Sequence, residues 1–297
     1  MRRLAALLTG LLAAGITSAS AQPPNPARPA PAVPAGGGVP QDRAAWLACL
    51  ARFRVVGLPH HRSEDARAEQ AKAVICRDGY ALSFNTRTRN PDWVLERLSP
   101  AVLRGRASRS DTFLADPLLG PASPVHADYT GSGFDRGHQA PAADARFDQR
   151  VMNESFFMTN MSPQVGVGFN RGQWKYLEEA VRAWVLCGGR TDVVVMTGPI
   201  YGDSTRTVGP PDRRVLVPSA YYKIVFDVRQ QRAVGFRLEN RKYRKTDLRE
   251  FVVPISEIED ETGLDFFPAL ARRRQNQLET PKGVVWGHDQ ACRNVQE

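Results

Sequence analysis

The segment Gly133-Phe134-Asp135-Arg136-Gly137-His138-Gln139-Ala140-Pro141 puts a carboxylate, a guanidinium and an imidazole within four residues. An imidazole with the usual pKa near 6.5 can take a proton from water at neutral pH. The planar fork of Arg136 suits phosphate oxygens. Gly137 lets the backbone bend so that both side chains address one ligand. The other histidines, His60, His61, His126 and His288, have no such neighbours. By itself the segment also reads as a turn in which His138 pairs with Asp135.

A second cluster follows: Phe156-Phe157-Met158-Thr159-Asn160-Met161-Ser162-Pro163-Gln164, then Phe169-Asn170-Arg171-Gly172-Gln173-Trp174 and Leu177-Glu178. Through its amide oxygen Asn170 can bind a hard cation, and a single neutral ligand suits Mg²⁺, which keeps most of its waters. Glu178 can hold such waters from behind. Taken singly, Asn170 reads equally as a helix N-cap and Glu178 as an exposed helical carboxylate. Asn160-Met161-Ser162 also fits a glycosylation acceptor, which we read as accidental.

These side chains need elements to hold them. Trp174, Leu177, Val181 and Val185 make one apolar stripe, predicting a helix over Arg171–Leu186 that Gly188-Gly189 stops. Eight residues at ~100° each put Glu178 roughly 80° round from Asn170 and about two turns along, so both can face one cleft. Asp42–Phe53 has helical spacing through Trp46, Leu47, Leu50 and Phe53. Tyr80–Asn85, Val193–Met196, Tyr221–Val228 and Ala233–Leu238 read as strands, the last two as a hairpin. Ser256-x-x-Glu259 predicts a capping box for a helix that Gly263 stops. The layout is α+β, with a central, mainly antiparallel sheet flanked by helices.

Composition narrows the function classes. The 297 residues carry 40 Lys+Arg against 31 Asp+Glu, for a net charge of +9, and 42% are hydrophobic. This is a globular balance with a leaning toward anionic partners. The P-loop, Rossmann, HExxH and GxSxG patterns are absent, so the corresponding nucleotide, zincin and α/β-hydrolase chemistries lose local support. Arg2 and Arg3, the apolar Leu4–Ile16 and Ala19-Ser20-Ala21 predict a signal cleaved after Ala21, too short for the ~20 residues of a membrane span. The expected location is therefore secreted or periplasmic, with no membrane association. Residues 22–41, rich in Pro and Gly, read as a disordered linker, leaving a single domain over 42–297. None of the four cysteines forms a CxxC pair, and an oxidising compartment favours Cys49–Cys76 and Cys187–Cys292. Arg241–Lys245 and Arg272–Arg274 either track a nucleic-acid backbone or are solvated faces.

Together the two clusters resemble the DNA/RNA non-specific endonuclease family of ββα-metal nucleases. The D-R-G-H signature is Asp135–His138, N-x-x-P-Q is Asn160–Gln164, and N-x-x-x-W with L-E falls at Asn170, Trp174, Leu177 and Glu178. Further matches run through Tyr80, Asn85, Thr88 and Trp93, then Thr197–Pro199, Val217–Tyr221 and Ile255–Gly263. The resemblance implies His138 as general base and Asn170 as the sole direct Mg²⁺ ligand, with Mn²⁺ as a substitute. It further implies that Glu178 orients metal-bound waters, that Asn160 positions His138 or the scissile region, and that Arg136 binds phosphate. A further phosphate-binding arginine falls at Arg109, with Arg104 and Arg106 as rivals. DNA and RNA are the implied substrates, with 5′-phosphate and 3′-hydroxyl products, and a homodimer is left open. Activity is expected to decline as pH falls through the ordinary imidazole range. Val165–Gly168 is one residue longer than the usual family pattern. The rival functions are a non-catalytic polyanion binder and a phosphodiesterase on a small substrate.

Overall fold

The computed structural model describes residues 43–63 and 71–287. The expected leader, the linker, His288 and Cys292 lie outside the described residues. In chain order the strands are His60–His61 (β1), Lys72–Cys76 (β2), Tyr80–Asn85 (β3), Asn90–Leu98 (β4), Phe134–His138 (β5), Met161–Val165 (β6) and Val193–Ile200 (β7). Thr207–Val208 (β8), Val215–Leu216 (β9), Ala220–Asp227 (β10), Arg232–Glu239 (β11), Val252–Val253 (β12) and Leu264–Asp265 (β13) follow. A seven-stranded sheet has the order β12-β11-β10-β7-β4-β3-β2, with every pair antiparallel. The class is α+β, as the sequence predicts.

The central strands are apolar on both sides because both faces are covered. Successive side chains alternate across a sheet. Tyr222, Ile224 and Phe226 therefore join one core with Phe53, Ile255 and Ile258. Tyr221 and Val225 join another with Leu177, Val181 and Trp184. The helices Arg43–Phe53 and Ile255–Thr262 thus cover one face, and Lys175–Leu186 covers the other.

Three local expectations are corrected. In Arg43–Phe53 the buried side is Trp46, Cys49 and Phe53, while Leu47 is 54% exposed. Cys49 turns inward because it is bonded to Cys76 on β2, with a Cα–Cα distance of 5.8 Å. This is the expected first disulfide; Cys187 is also disulfide-bonded. The helix Ile255–Thr262 has Pro254 at its N-cap and no side-chain cap bond. Glu259 instead accepts from the Phe266 amide at 3.1 Å, so there is no capping box. Gly263 does stop this helix, in the left-handed region at φ 71°.

The third correction concerns the site. Regular helix begins at Lys175, not Arg171. Gly166–Trp174 is a wider winding whose backbone leaves helical angles at Val167, Gly168, Arg171 and Gly172. Bonds from elsewhere outcompete the local helix here. The Gly168 carbonyl accepts from Tyr243 N at 3.2 Å, and Gln173 exchanges hydrogen bonds of 2.8 and 2.9 Å with the Thr246 backbone.

Candidate active site

Strands β5 and β6 form an antiparallel pair from Phe134↔Val165 to His138↔Met161. The winding and the helix Lys175–Leu186 follow, giving a β-β-α unit. Its anchors to the large sheet are polar and buried. Ser162 Oγ donates to Asn90 Oδ1 at 2.7 Å, and Tyr221 OH donates to the Pro163 carbonyl at 2.9 Å. Gly137 is needed for close approach rather than for a bend, since a Cβ there would overlap the Gln164 side chain.

The unit lines a cleft of about 580 Å³ bounded by Arg109, Arg136, His138, Asn170, Glu178 and Arg182, among others. His138, the last residue of β5, is half-buried between rings, 4.7 Å from Phe156 edge-on and 5.9 Å from Phe113. Its Nε2 is buried without a hydrogen-bond partner. Burial, and secondarily the Arg109 guanidinium, push the imidazole down to about 3. This corrects the expected acid limit, because His138 stays neutral well below the ordinary imidazole range.

Asn170 sits in the winding, where its Nδ2 donates to Asp135 Oδ2 at 2.9 Å. The amide rotation is thereby fixed, and Oδ1 is the atom left to meet a cation. Asp135 also pairs with Arg171 at 2.9 Å, so the alternative Asp135–His138 pair is not formed. Glu178 is pushed up to about 7 by burial, against the lowering fields of Lys223 and Arg182. Arg182, one turn on, pairs with Asp144 at 3.0 Å. Lys223 on β10 is buried, donates to Thr197 Oγ1 at 2.7 Å and lies 5.0 Å above the Trp174 ring.

The arginines occupy the rim. Arg136 donates to the His126 carbonyl at 2.9 Å and packs over Phe113 and Tyr129. Arg109 is 55% exposed and lies over Phe156; Arg104 and Arg106 do not line this cleft. Asn160 is not in the cleft either. It is fully buried and bonded to Ala140 N, Ala140 O and Ser155 O at 2.8–2.9 Å. Its bonds to Ala140 fix the turn that leaves His138.

Sequence reasoning missed four participants: Asp135 as the holder of Asn170, its partner Arg171, Arg182 and Lys223. Arg182 carried a signal, since it stands four residues beyond Glu178 on the same helix face. Lys223 carried one too, as a charge inside an apolar strand.

This geometry has relatives. The chain is similar to nuclease C1 of Cunninghamella echinulata var. echinulata, 38% identical over 215 residues, covering 67% of this chain and 84% of that protein. Mitochondrial nuclease 1 of Schizosaccharomyces pombe is 34% identical over 67% of each chain. Mitochondrial endonuclease G of Bos taurus is 32% identical over 82% of this chain and 78% of its own. Among solved structures, endonuclease G in a complex with EndoGI, titled as a mechanism of inhibition, aligns with a TM-score of 0.64 and 31% identity. That alignment covers 70% of this chain and 91% of the other.

The mitochondrial names overturn the secreted or periplasmic expectation. Composition alone does not separate the two addresses: a leader with Arg and Ser and no acidic residue is shared by secretory signals and transit peptides. No helix among the described residues is long and apolar enough to cross a membrane. The family match runs over residues 60–273, through the β-β-α unit and the sheet beneath it, and the chain accordingly belongs to the DNA/RNA non-specific endonuclease family and is a hydrolase.

Proposed function

We propose that the cleft hydrolyses phosphodiester bonds of DNA and RNA, with little sequence preference and with Mg²⁺ or, in its place, Mn²⁺. The observation that carries this reading is the convergence of His138, Asn170, Glu178, Arg136 and Arg109 on one cleft of about 580 Å³. The donors fit a hard, reluctantly dehydrated ion. Asn170 offers one oriented amide oxygen, and Glu178 a carboxylate able to hold the ion's waters. When bound, the ion supplies Lewis-acid neutralisation of phosphate charge.

The chain's own groups do the rest. Arg136 and Arg109 bind non-bridging phosphate oxygens by charge-assisted hydrogen bonds. His138 accepts a proton from water as its oxygen bonds to phosphorus and the P–O3′ bond breaks. The departing O3′ takes a proton from solvent water to become a 3′-hydroxyl, the phosphate remains on the 5′ end, and His138 returns its proton to solvent. An anionic phosphate in the cleft opposes the Arg109 field, so substrate raises the proton affinity of a ring otherwise held near 3. Phosphate contacts position a strand without reading its bases, which accounts for low sequence preference. The deciding experiment incubates the protein with plasmid DNA and with RNA, in Mg²⁺ and in EDTA. Metal-dependent loss of both polymers is the expected result. Cleavage that persists in EDTA, or of neither polymer, removes the proposal.

A further inference from the structure

On the face of the sheet away from the cleft, three elements bring carboxylates together. Glu259 lies on the helix Ile255–Thr262, Asp265 on β13, and Glu279 ends the helix Arg272–Glu279. One carboxylate oxygen from each lies within 4.8 Å of the others. Glu259 and Glu279 are each only 3% exposed, and Glu279 Oε1 is buried with no hydrogen-bond partner. Among the described residues none of the three forms an ion pair. The two guanidiniums whose fields reach the cluster are turned elsewhere: Arg62 donates to Asp260 at 2.9 Å and Arg272 to Gln275 at 2.8 Å.

Buried like charges without a counter-ion are costly, so such a group either keeps protons or takes a cation. Burial pushes Glu259 upward, and it takes Glu279 to about 7, with Glu259 and Asp265 adding to the rise. The donor set is all oxygen, which selects a hard cation over zinc or copper. Two oxygens on one ion stand at most twice the metal–oxygen distance apart, about 4.2 Å for Mg²⁺ and up to about 5.2 Å for Ca²⁺. Oxygens that all lie within 4.8 Å of one another fall inside the Ca²⁺ limit without movement. Burial also leaves little room for the waters that Mg²⁺ retains.

We propose that Glu259, Asp265 and Glu279 form a structural Ca²⁺ site that ties the helices Ile255–Thr262 and Arg272–Glu279 to the β1–β13 pair. It is separate from the catalytic cleft, and none of its residues lines that cleft. A cation bound only by the folded chain raises stability by mass action.

The test uses the full chain carrying Asn170→Ala, which removes the proposed catalytic ligand. Calcium chloride is titrated by calorimetry and by thermal unfolding. One Ca²⁺ per chain and a Tm rise of about 5–10 °C at a hundredfold excess over Kd are expected. Adding Glu279→Gln should abolish both; if that variant does not fold, Asp265→Asn takes its place with the same reading. No calcium-dependent shift in Asn170→Ala overturns the site. So does an undiminished shift after Glu279→Gln. Glu279→Gln alone should cleave plasmid in Mg²⁺ at the parental rate, and a tenfold loss overturns the separation from catalysis.

Discussion

Two groups of buried carboxylates lie on opposite faces of one sheet, and the chain compensates them differently. Around Glu178 it supplies its own cations, with Lys223 and Arg182 close by and Arg182 paired to Asp144. Around Glu279 the carboxylates face one another, and no described guanidinium or ammonium pairs with them. In the first arrangement the cations belong to the same side-chain network as the carboxylate. In the second, the guanidiniums whose fields reach the carboxylates, Arg62 and Arg272, are bonded to Asp260 and Gln275 instead.

The sharpest way to break this contrast is at the proposed base. His138→Ala should lower plasmid cleavage by about 10²- to 10⁴-fold with an unchanged circular dichroism spectrum. Unaltered turnover would empty the cleft of its assigned chemistry. Lys223→Met removes the largest lowering influence on Glu178, so that carboxyl should rise further above 7. Half-saturating Mg²⁺ should then increase about 10- to 100-fold, whereas Glu279→Gln should leave it alone. Equal effects from the two variants would erase the distinction.

Acidity sharpens the comparison further. Glu178 is protonated below about 7 and charged above it, so the wild-type requirement for Mg²⁺ should ease as pH is raised through that value. At saturating Mg²⁺, kcat/KM, which reports the free protein, should show no step near the ordinary imidazole pKa, since His138 is neutral across it before substrate binds. A step there would return the imidazole to its unperturbed value. The smallest effect belongs to the covalent tie on the second face. Cys49 and Cys76 are 27 residues apart, and Cys49→Ser with Cys76→Ser should cost about 3–4 kcal/mol in chemical denaturation with cleavage retained.

Much of the cleft was legible before any coordinates because its chemistry is local. Asp135 to His138 are contiguous, and Asn170 and Glu178 are eight apart, so their types and spacing carry the signal. What escaped is what distant chain decides. Asn170 reads as a helix cap until the Asp135 carboxylate, 35 residues earlier, claims its amide nitrogen. The helix start at Arg171 was a sound inference from the stripe, undone by bonds from Tyr243 and Thr246. Ser256-x-x-Glu259 has the letters of a cap, yet Glu259 is drawn to the Phe266 amide instead. The paired strands were readable from alternation, since Tyr222, Ile224 and Phe226 do share a core. The leader's address was not, because two import routes recognise overlapping chemistry.

The turn after β11 has a role beyond its positive charge. Asn240 Oδ1 accepts from Val165 N at 2.8 Å, Tyr243 N reaches the Gly168 carbonyl, and Thr246 grips Gln173 from both sides. These clamps bracket Asn170 before and behind, like a splint on a bent limb. Lys245 rests on the Tyr176 ring at 4.4 Å and Arg241 on Tyr243 at 4.3 Å, so part of the basic run is braced rather than free. A segment some seventy residues downstream thus helps set where the amide oxygen of Asn170, the proposed ligand, sits. Under the proposed function, drift in that segment would retune metal preference while every residue of the cleft stayed the same.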